Sequence, residues 1–105
     1  MYLDLIERLI IIFISGKSSK SERMLNKRCN KQFFRKASFY KYVWEQTLMK
    51  CLDNPDINPI DTIENNIEIY TYRYNIATHI LVKNMYYAWI NALLMLKEHT
   101  LLLEE

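Results

Sequence analysis

Very few residues in this chain of 105 can interrupt a helix, and that scarcity constrains the fold more than any other feature. The chain has one glycine, Gly16, and its two prolines, Pro55 and Pro59, lie within one short stretch. All-β folds need many tight turns, and those turns require glycine, proline, asparagine or aspartate at set positions. Half of the residues are apolar and a quarter are charged, which is the balance of a folded globular chain. The sequence therefore predicts an all-α fold built from a few long helices.

Apolar residues recur every three or four positions near both ends of the chain, as they do on the buried face of a helix. The first predicted helix covers about residues 2–14, and the polar stretch SGKSSKS after it is predicted to be a loop. The last predicted helix covers about 78–103 and is apolar nearly all round. Such a helix is normally buried by several neighbours, and any face left exposed favours an oligomer or a partner.

A second helical pattern opens with the capping box Ser19 to Glu22. Its apolar stripe keeps one face toward a core through steps of three and four, at Leu25, Cys29, Phe33, Ala37, Tyr40, Trp44, Leu48 and Cys51. The pattern fits one helix or two helices broken near Ser38.

Residues 60–76 are the one stretch where a strand competes with a helix. Asn58 and Pro59 form a typical helix start, an N-cap followed by proline at the first helical position. The run IEIYTYRY, by contrast, is dense in residues that favour strands. Strict alternation leaves neither side of such a strand clearly polar, whereas a helical series with steps of three and four runs through Ile60, Ile63, Ile67, Tyr70 and Tyr74. We predict a helix here and keep β structure as the alternative.

These segments predict a single helical domain over residues 1–105, a small bundle of four or five helices. No stretch approaches the eighteen apolar residues of a membrane span. Cys29 and Cys51 fall at apolar positions and lack the spacing of a disulfide framework or a metal site. We therefore expect a cytoplasmic protein that needs no metal or other cofactor and does not enter the membrane.

Positive charge is concentrated in one part of the chain. Nine basic residues and one acid lie between Lys17 and Lys41, a net charge of +8, so the rest of the chain carries −6 to reach the overall +2. Like charges spaced four apart on a helix repel one another, a cost that is tolerated when the stripe meets a polyanion or an acidic protein. The predicted binding residues are the four at successive i, i+4 positions and two neighbours: Arg23, Lys27, Lys31, Arg35, Lys20 and Arg28.

Three partners fit this basic face: an acidic protein, nucleic acid, or the acidic residues of the chain itself. Five carboxylates could supply that internal complement: Asp53, Asp56, Asp61, Glu64 and Glu68. The modest overall charge argues against a dedicated nucleic-acid binder, which is usually a strongly basic domain. We therefore favour an acidic protein over nucleic acid as the external partner.

Arg73 and His79 suggest a different function. The stretch from Arg73 to His79 resembles the R-x4-6-H signature of the HEPN superfamily, all-α domains that often act as metal-independent RNases. The resemblance implies that Arg73 orients and neutralises a phosphate while His79 acts as general acid or base. It covers seven residues, and Tyr74 stands where a polar residue often follows the arginine.

The sequence leaves three functional hypotheses open. The favoured one is a small non-enzymatic interaction or regulatory protein, by analogy with small helical inhibitors, immunity factors and regulators carried on mobile elements. A HEPN-like RNase is the enzymatic alternative. The third is a structural subunit of a homo-oligomer, such as a homodimer, which the apolar last helix favours. Five tyrosines could also contribute to a binding surface, at positions 70, 72, 74, 86 and 87.

Overall fold

The computed structural model describes residues 1–14 and 38–104. This part of the chain forms four helices: α1 (Leu3–Ile14), α2 (Ser38–Asp53), α3 (Pro59–Ile76) and α4 (Ile80–Glu104). No strand occurs among these residues, so the predicted all-α bundle is confirmed and the β alternative for residues 60–76 is wrong. Residues 15–37 lie outside the described residues. This range includes the predicted loop SGKSSKS and the capping box at Ser19, and the break considered near Ser38 falls at its end.

Local start signals and a buried face together explain why the β-forming α3 is a helix. Asn58 is its N-cap, and the side-chain Oδ1 accepts the Ile60 N–H at 3.0 Å. Pro59 follows at the first helical position, where its missing N–H costs no hydrogen bond. Ile63 is fully buried on the predicted face, whereas Ile69 and Tyr72 on other faces are exposed. A helix buries one row of these β-formers, and that packing outweighs their strand preference.

The long helix α4 is the centre of the bundle and contacts all three other helices. Ala88 and Ala92 present small side chains at its buried surface. Trp44 of α2 lies against this surface and its Nε1–H donates to the Ala92 carbonyl at 2.6 Å. Together with Ala88 and Ala92, the buried core of the bundle consists of Leu9, Val43, Trp44, Leu48, Ile63, Leu93, Met95 and Leu96. The later part of the predicted stripe, from Trp44 to Cys51, is thus buried as predicted.

Helices α3 and α4 form an antiparallel hairpin that makes the most extensive contact in the bundle. The connection is only three residues, 77–79, and begins with Ala77 in an extended conformation at φ −66° and ψ 136°. Lys83 of α4 links the two helices of the hairpin. Its Nζ donates to the Tyr74 carbonyl of α3 at 3.2 Å and lies 4.7 Å from the centre of the Tyr74 ring.

The last helix was predicted to be apolar nearly all round, and its neighbours bury only part of that apolar surface. Ala88, Ala92, Leu93 and Leu96 are buried, but Ile80 remains 64 % exposed, and several further apolar side chains of α4 are exposed, among them Leu81, Val82, Tyr87, Leu94, Leu101 and Leu102. The apolar surface of α4 is therefore larger than the area that α1, α2 and α3 cover. None of the helices in the described part of the chain is long and apolar enough to cross a membrane.

Candidate functional site

The six predicted binding residues lie outside the described residues. They are Lys20, Arg23, Lys27, Arg28, Lys31 and Arg35, all within 15–37. The structure does, however, describe most of the chain that could neutralise them. Residues 1–14 and 38–104 contain six basic and ten acidic side chains, a net charge of −4, whereas residues 15–37 contain eight basic and one acidic, a net charge of +7.

The five carboxylates considered as an internal complement are all exposed. Asp56 lies 3.5 Å from the N-terminal ammonium, and Glu64 lies 3.0 Å from the Lys97 Nζ. Asp53, Asp61 and Glu68 form no ion pair with another described residue. Exposed carboxylates keep their hydration, so an ion pair at any of the five would contribute little to the stability of the fold.

Arg73 and His79 line one cavity of about 450 Å³ where α3 ends and α4 begins. Ile76, Thr78, Val82 and Tyr86 complete most of its wall, and none of the described residues that line it is acidic. The cavity also adjoins the first turn of α4, where the helix dipole favours negative charge. This arrangement can bind an anion such as a phosphate group.

The two side chains are held by different local contacts. The Arg73 guanidinium carbon lies 5.9 Å from the centre of the Tyr70 ring, and the Arg73 carbonyl accepts the Ala77 N–H at 3.0 Å. His79 precedes α4, and its Nδ1 accepts the Leu81 N–H at 3.1 Å. An imidazole that accepts through Nδ1 carries its proton on Nε2 when neutral. Nε2 of His79 is therefore the nitrogen that can exchange a proton with a bound group.

An aromatic cluster adjoins this cavity. The Trp89 ring centre lies 5.4 Å from that of Tyr70, 5.8 Å from that of Tyr86 and 6.0 Å from that of Tyr42. Tyr86 belongs to both the cluster and the cavity wall. Burial raises the pKa of the Tyr70 phenol, so the group stays protonated at neutral pH. The Trp89 Nε1–H is buried and has no acceptor among the described residues.

The five tyrosines considered as one binding surface in the sequence lie in different surroundings in the structure. Tyr70 and Tyr86 pack on Trp89, Tyr74 packs on Tyr87 at 6.3 Å, and Tyr72 is 65 % exposed on another side of α3. Tyr42 was not predicted to join them, because it lies on α2 and shares no sequence pattern with residues of other helices. Trp89 lies three residues after Tyr86 on α4, a helical spacing that could have linked the two rings.

Other chemistry has little support in the described part of the chain. No three of its His, Cys, Asp or Glu side chains converge where they could hold a metal ion. Cys51 is buried, and burial raises the pKa of its thiol, although a hydrogen bond with Thr62 acts in the opposite direction. A protonated, buried thiol is a poor nucleophile.

Neither a known family model, nor a curated protein, nor a solved structure matches this chain.

Proposed function

We propose that this protein is a non-enzymatic interaction protein that uses its basic segment to bind an acidic surface on another protein. The observation that carries the proposal is the separation of charge along the chain. Residues 15–37 hold a net charge of +7, while the described residues together hold −4. The proposed contact residues are Lys20, Arg23, Lys27, Arg28, Lys31 and Arg35.

The balance of charge supports an external partner over an internal one. The described residues carry −4 against the +7 of residues 15–37, so complete internal pairing would still leave an excess of +3. Two of the five carboxylates considered as an internal complement also have partners among the described residues: Asp56 pairs with the N-terminal ammonium and Glu64 with Lys97. An acidic protein is favoured over nucleic acid because the whole chain carries only +2.

Charge reversal tests this proposal. The four residues at i, i+4 spacing are changed to glutamate, as Arg23→Glu, Lys27→Glu, Lys31→Glu and Arg35→Glu. Wild type and variant are immobilised and used to capture partners from a lysate of the native host, with and without nuclease, over a series of salt concentrations. We expect the wild type to retain a protein in a nuclease-resistant, salt-sensitive manner, and the variant to lose it.

A matched control separates the position of charge from its amount. The pair Lys27→Glu and Lys31→Glu changes the net charge by four units, as does the triple variant Arg8→Glu, Gln46→Glu and Asn54→Glu on exposed positions of the described bundle. Only the pair should weaken binding. Equal loss in both, or none in either, contradicts the proposal, and capture that disappears with nuclease points to nucleic acid instead.

A metal-independent RNase is the second candidate, because Arg73 and His79 line the same cavity. Arg73 would hold the phosphate through paired hydrogen bonds. His79 would transfer a proton as a ribose 2′-hydroxyl attacks phosphorus and the bond to the 5′-oxygen of the next nucleotide breaks. Because the nucleophile is the 2′-hydroxyl of the RNA itself, this reaction needs no metal-activated water.

Cleavage of single-stranded RNA in the presence of EDTA tests this second function. Any activity should fall by about 100-fold or more in His79→Ala, the usual effect of losing a proton-transfer group, and should also fall in Arg73→Ala, which removes the contact with the phosphate. Arg8→Ala changes an exposed arginine on α1 and should leave the activity unchanged. Full activity in both cavity variants rules out this mechanism.

A further inference from the structure

Four exposed apolar side chains follow one another at seven-residue steps along the whole of α4. They are Ile80, Tyr87, Leu94 and Leu101, and each is between 37 and 64 % exposed. Seven residues are close to two helical turns, so these side chains lie along one line that drifts by about 20° per step. An exposed apolar row along the length of a helix is a surface against which another helix can pack.

The row continues across a groove onto α3. The groove has a volume of about 720 Å³, and Ile69 and Tyr72 of α3 line it together with Leu94 of α4. Tyr87 joins the two helices through its ring contact with Tyr74. We call the six exposed side chains of this surface the α3/α4 stripe: Ile69, Tyr72, Ile80, Tyr87, Leu94 and Leu101.

The charges at the edge of the groove make the stripe complementary to itself. Glu68 lines the groove from α3, and Lys97 lines it from α4. A two-fold axis along the groove lays α3 of one copy over α4 of the other, which brings Glu68 close to the partner's Lys97 and Lys97 close to the partner's Glu68. Lys97 already contacts Glu64, but an ammonium has three N–H donors and can serve both carboxylates.

The size of the stripe also fits a second copy. Its six side chains expose on the order of 600 Å², near the ~800 Å² that each partner contributes to a standard interface. A patch of this size is at the upper end of what monomers leave uncovered. Buried aromatic side chains such as Tyr72 and Tyr87 are common anchors at such interfaces.

We infer that two copies of this chain pair through the α3/α4 stripe, forming a four-helix arrangement of two α3–α4 hairpins. The inference is separate from the proposed function, because the stripe shares no residue with the basic segment or with the cavity at Arg73 and His79.

Sedimentation of the full chain from about 1 to 300 µM tests the pairing. The wild type should be a dimer over most of this range, and Tyr72→Glu with Leu94→Glu should raise the dimer dissociation constant by about 100-fold or more. Ile11→Glu with Met49→Glu adds the same charge to exposed apolar positions on α1 and α2, and should remain a dimer. A wild type that stays monomeric, or a dimer lost only in the α1 and α2 variant, overturns the inference.

Charge exchange across the interface gives a second test. It compares two single variants with their mixture, so recovery of pairing in the mixture shows that both variants are folded. Glu68→Lys alone and Lys97→Glu alone each place like charges opposite one another and should weaken the homodimer. Mixed together, the two variants restore both opposite-charge contacts, so the mixture should form heterodimers preferentially. A mixture that pairs no better than either variant alone shows that these residues do not meet across the interface.

Discussion

At the scale of single residues, Trp44 shows how one side chain fixes the position of two helices. Its ring is buried in the core, and the Nε1–H donates to the Ala92 carbonyl of α4 at 2.6 Å. The small side chain of Ala92 lets the ring approach the α4 backbone. The Thr47 hydroxyl, on the same helix as Trp44, accepts from the Asn66 amide of α3 at 3.3 Å. These two contacts join α2 to both helices of the hairpin, and polar groups buried in this way are costly to leave unpaired.

His99 gives the fold a pH dependence. The ring packs edge-on against Trp44 with 5.7 Å between the ring centres, and burial lowers the pKa of its imidazole, while nearby Glu98 acts in the opposite direction. The unfolded chain then binds a proton at this position at a higher pH than the folded chain does. The contribution of neutral His99 to stability is full above about pH 6.5 and is lost as the pH falls through the lower folded pKa.

Denaturant unfolding at several pH values between 5 and 7.5 tests this prediction. The wild type should lose stability as the pH falls, and His99→Gln should remove most of that loss. His79→Asn is the matched control, because it removes the other histidine while keeping a side chain that can accept the Leu81 N–H. The prediction fails if His79→Asn, and not His99→Gln, flattens the pH profile.

At the scale of helices, α3 depends on its first turn. Its sequence favours strands, so the contacts that begin the helix carry more of its stability than they would in an alanine-rich helix. We expect Asn58→Ala to lower the free energy of unfolding by about 1 kcal/mol, because the Ile60 N–H loses its acceptor. Asn58→Ser retains an oxygen at the same place and should cost far less. Equal losses of the two variants in thermal or denaturant unfolding would mean that the side-chain hydrogen bond to Ile60 is not what stabilises the helix start.

The same helix shows how much of the fold could be predicted. Local signals decide where α3 begins, and the spacing of Ile63 and Ile67 identifies its buried face, so both could be predicted from neighbouring residues alone. The exposure of Ile80 and Leu101 could not, since periodicity marks apolar faces but not how many helices are present to cover them. The cavity at Arg73 and His79 is an intermediate case. The resemblance selects the two residues, whereas the contribution of Tyr86 and the aromatic cluster depends on how two helices pair.

At the scale of the whole molecule, the chain places charge and apolar surface in different regions. The excess positive charge lies in residues 15–37, and the α3/α4 stripe lies on the hairpin. The two regions share no residue, so the chain has separate residues for pairing with its own copy and for binding another partner. The proposed interaction and the inferred dimer are therefore compatible, and each is tested by variants that leave the other unchanged.

The prediction of a single domain over residues 1–105 concerns the molecule as a whole. Its two tryptophans report on different regions: Trp44 lies in the core between α2 and α4, whereas Trp89 lies in the aromatic cluster of the hairpin. Trp44→Phe and Trp89→Phe each leave one reporter. If the chain unfolds as one cooperative unit, the fluorescence of each variant and its own far-UV circular dichroism should change at the same denaturant concentration.

Comparing each variant with itself is necessary because the two substitutions differ in cost. Trp44→Phe removes a buried hydrogen bond and should lower stability by about 2 kcal/mol, whereas Trp89→Phe removes a donor that has no acceptor among the described residues and should cost less. Their midpoints will therefore differ from one another without contradicting cooperativity. A fluorescence change that precedes the loss of helix in the Trp44→Phe variant would mean that the hairpin cluster opens separately. Because α4 runs through both regions and contacts every other helix of the described bundle, we expect the two signals to coincide.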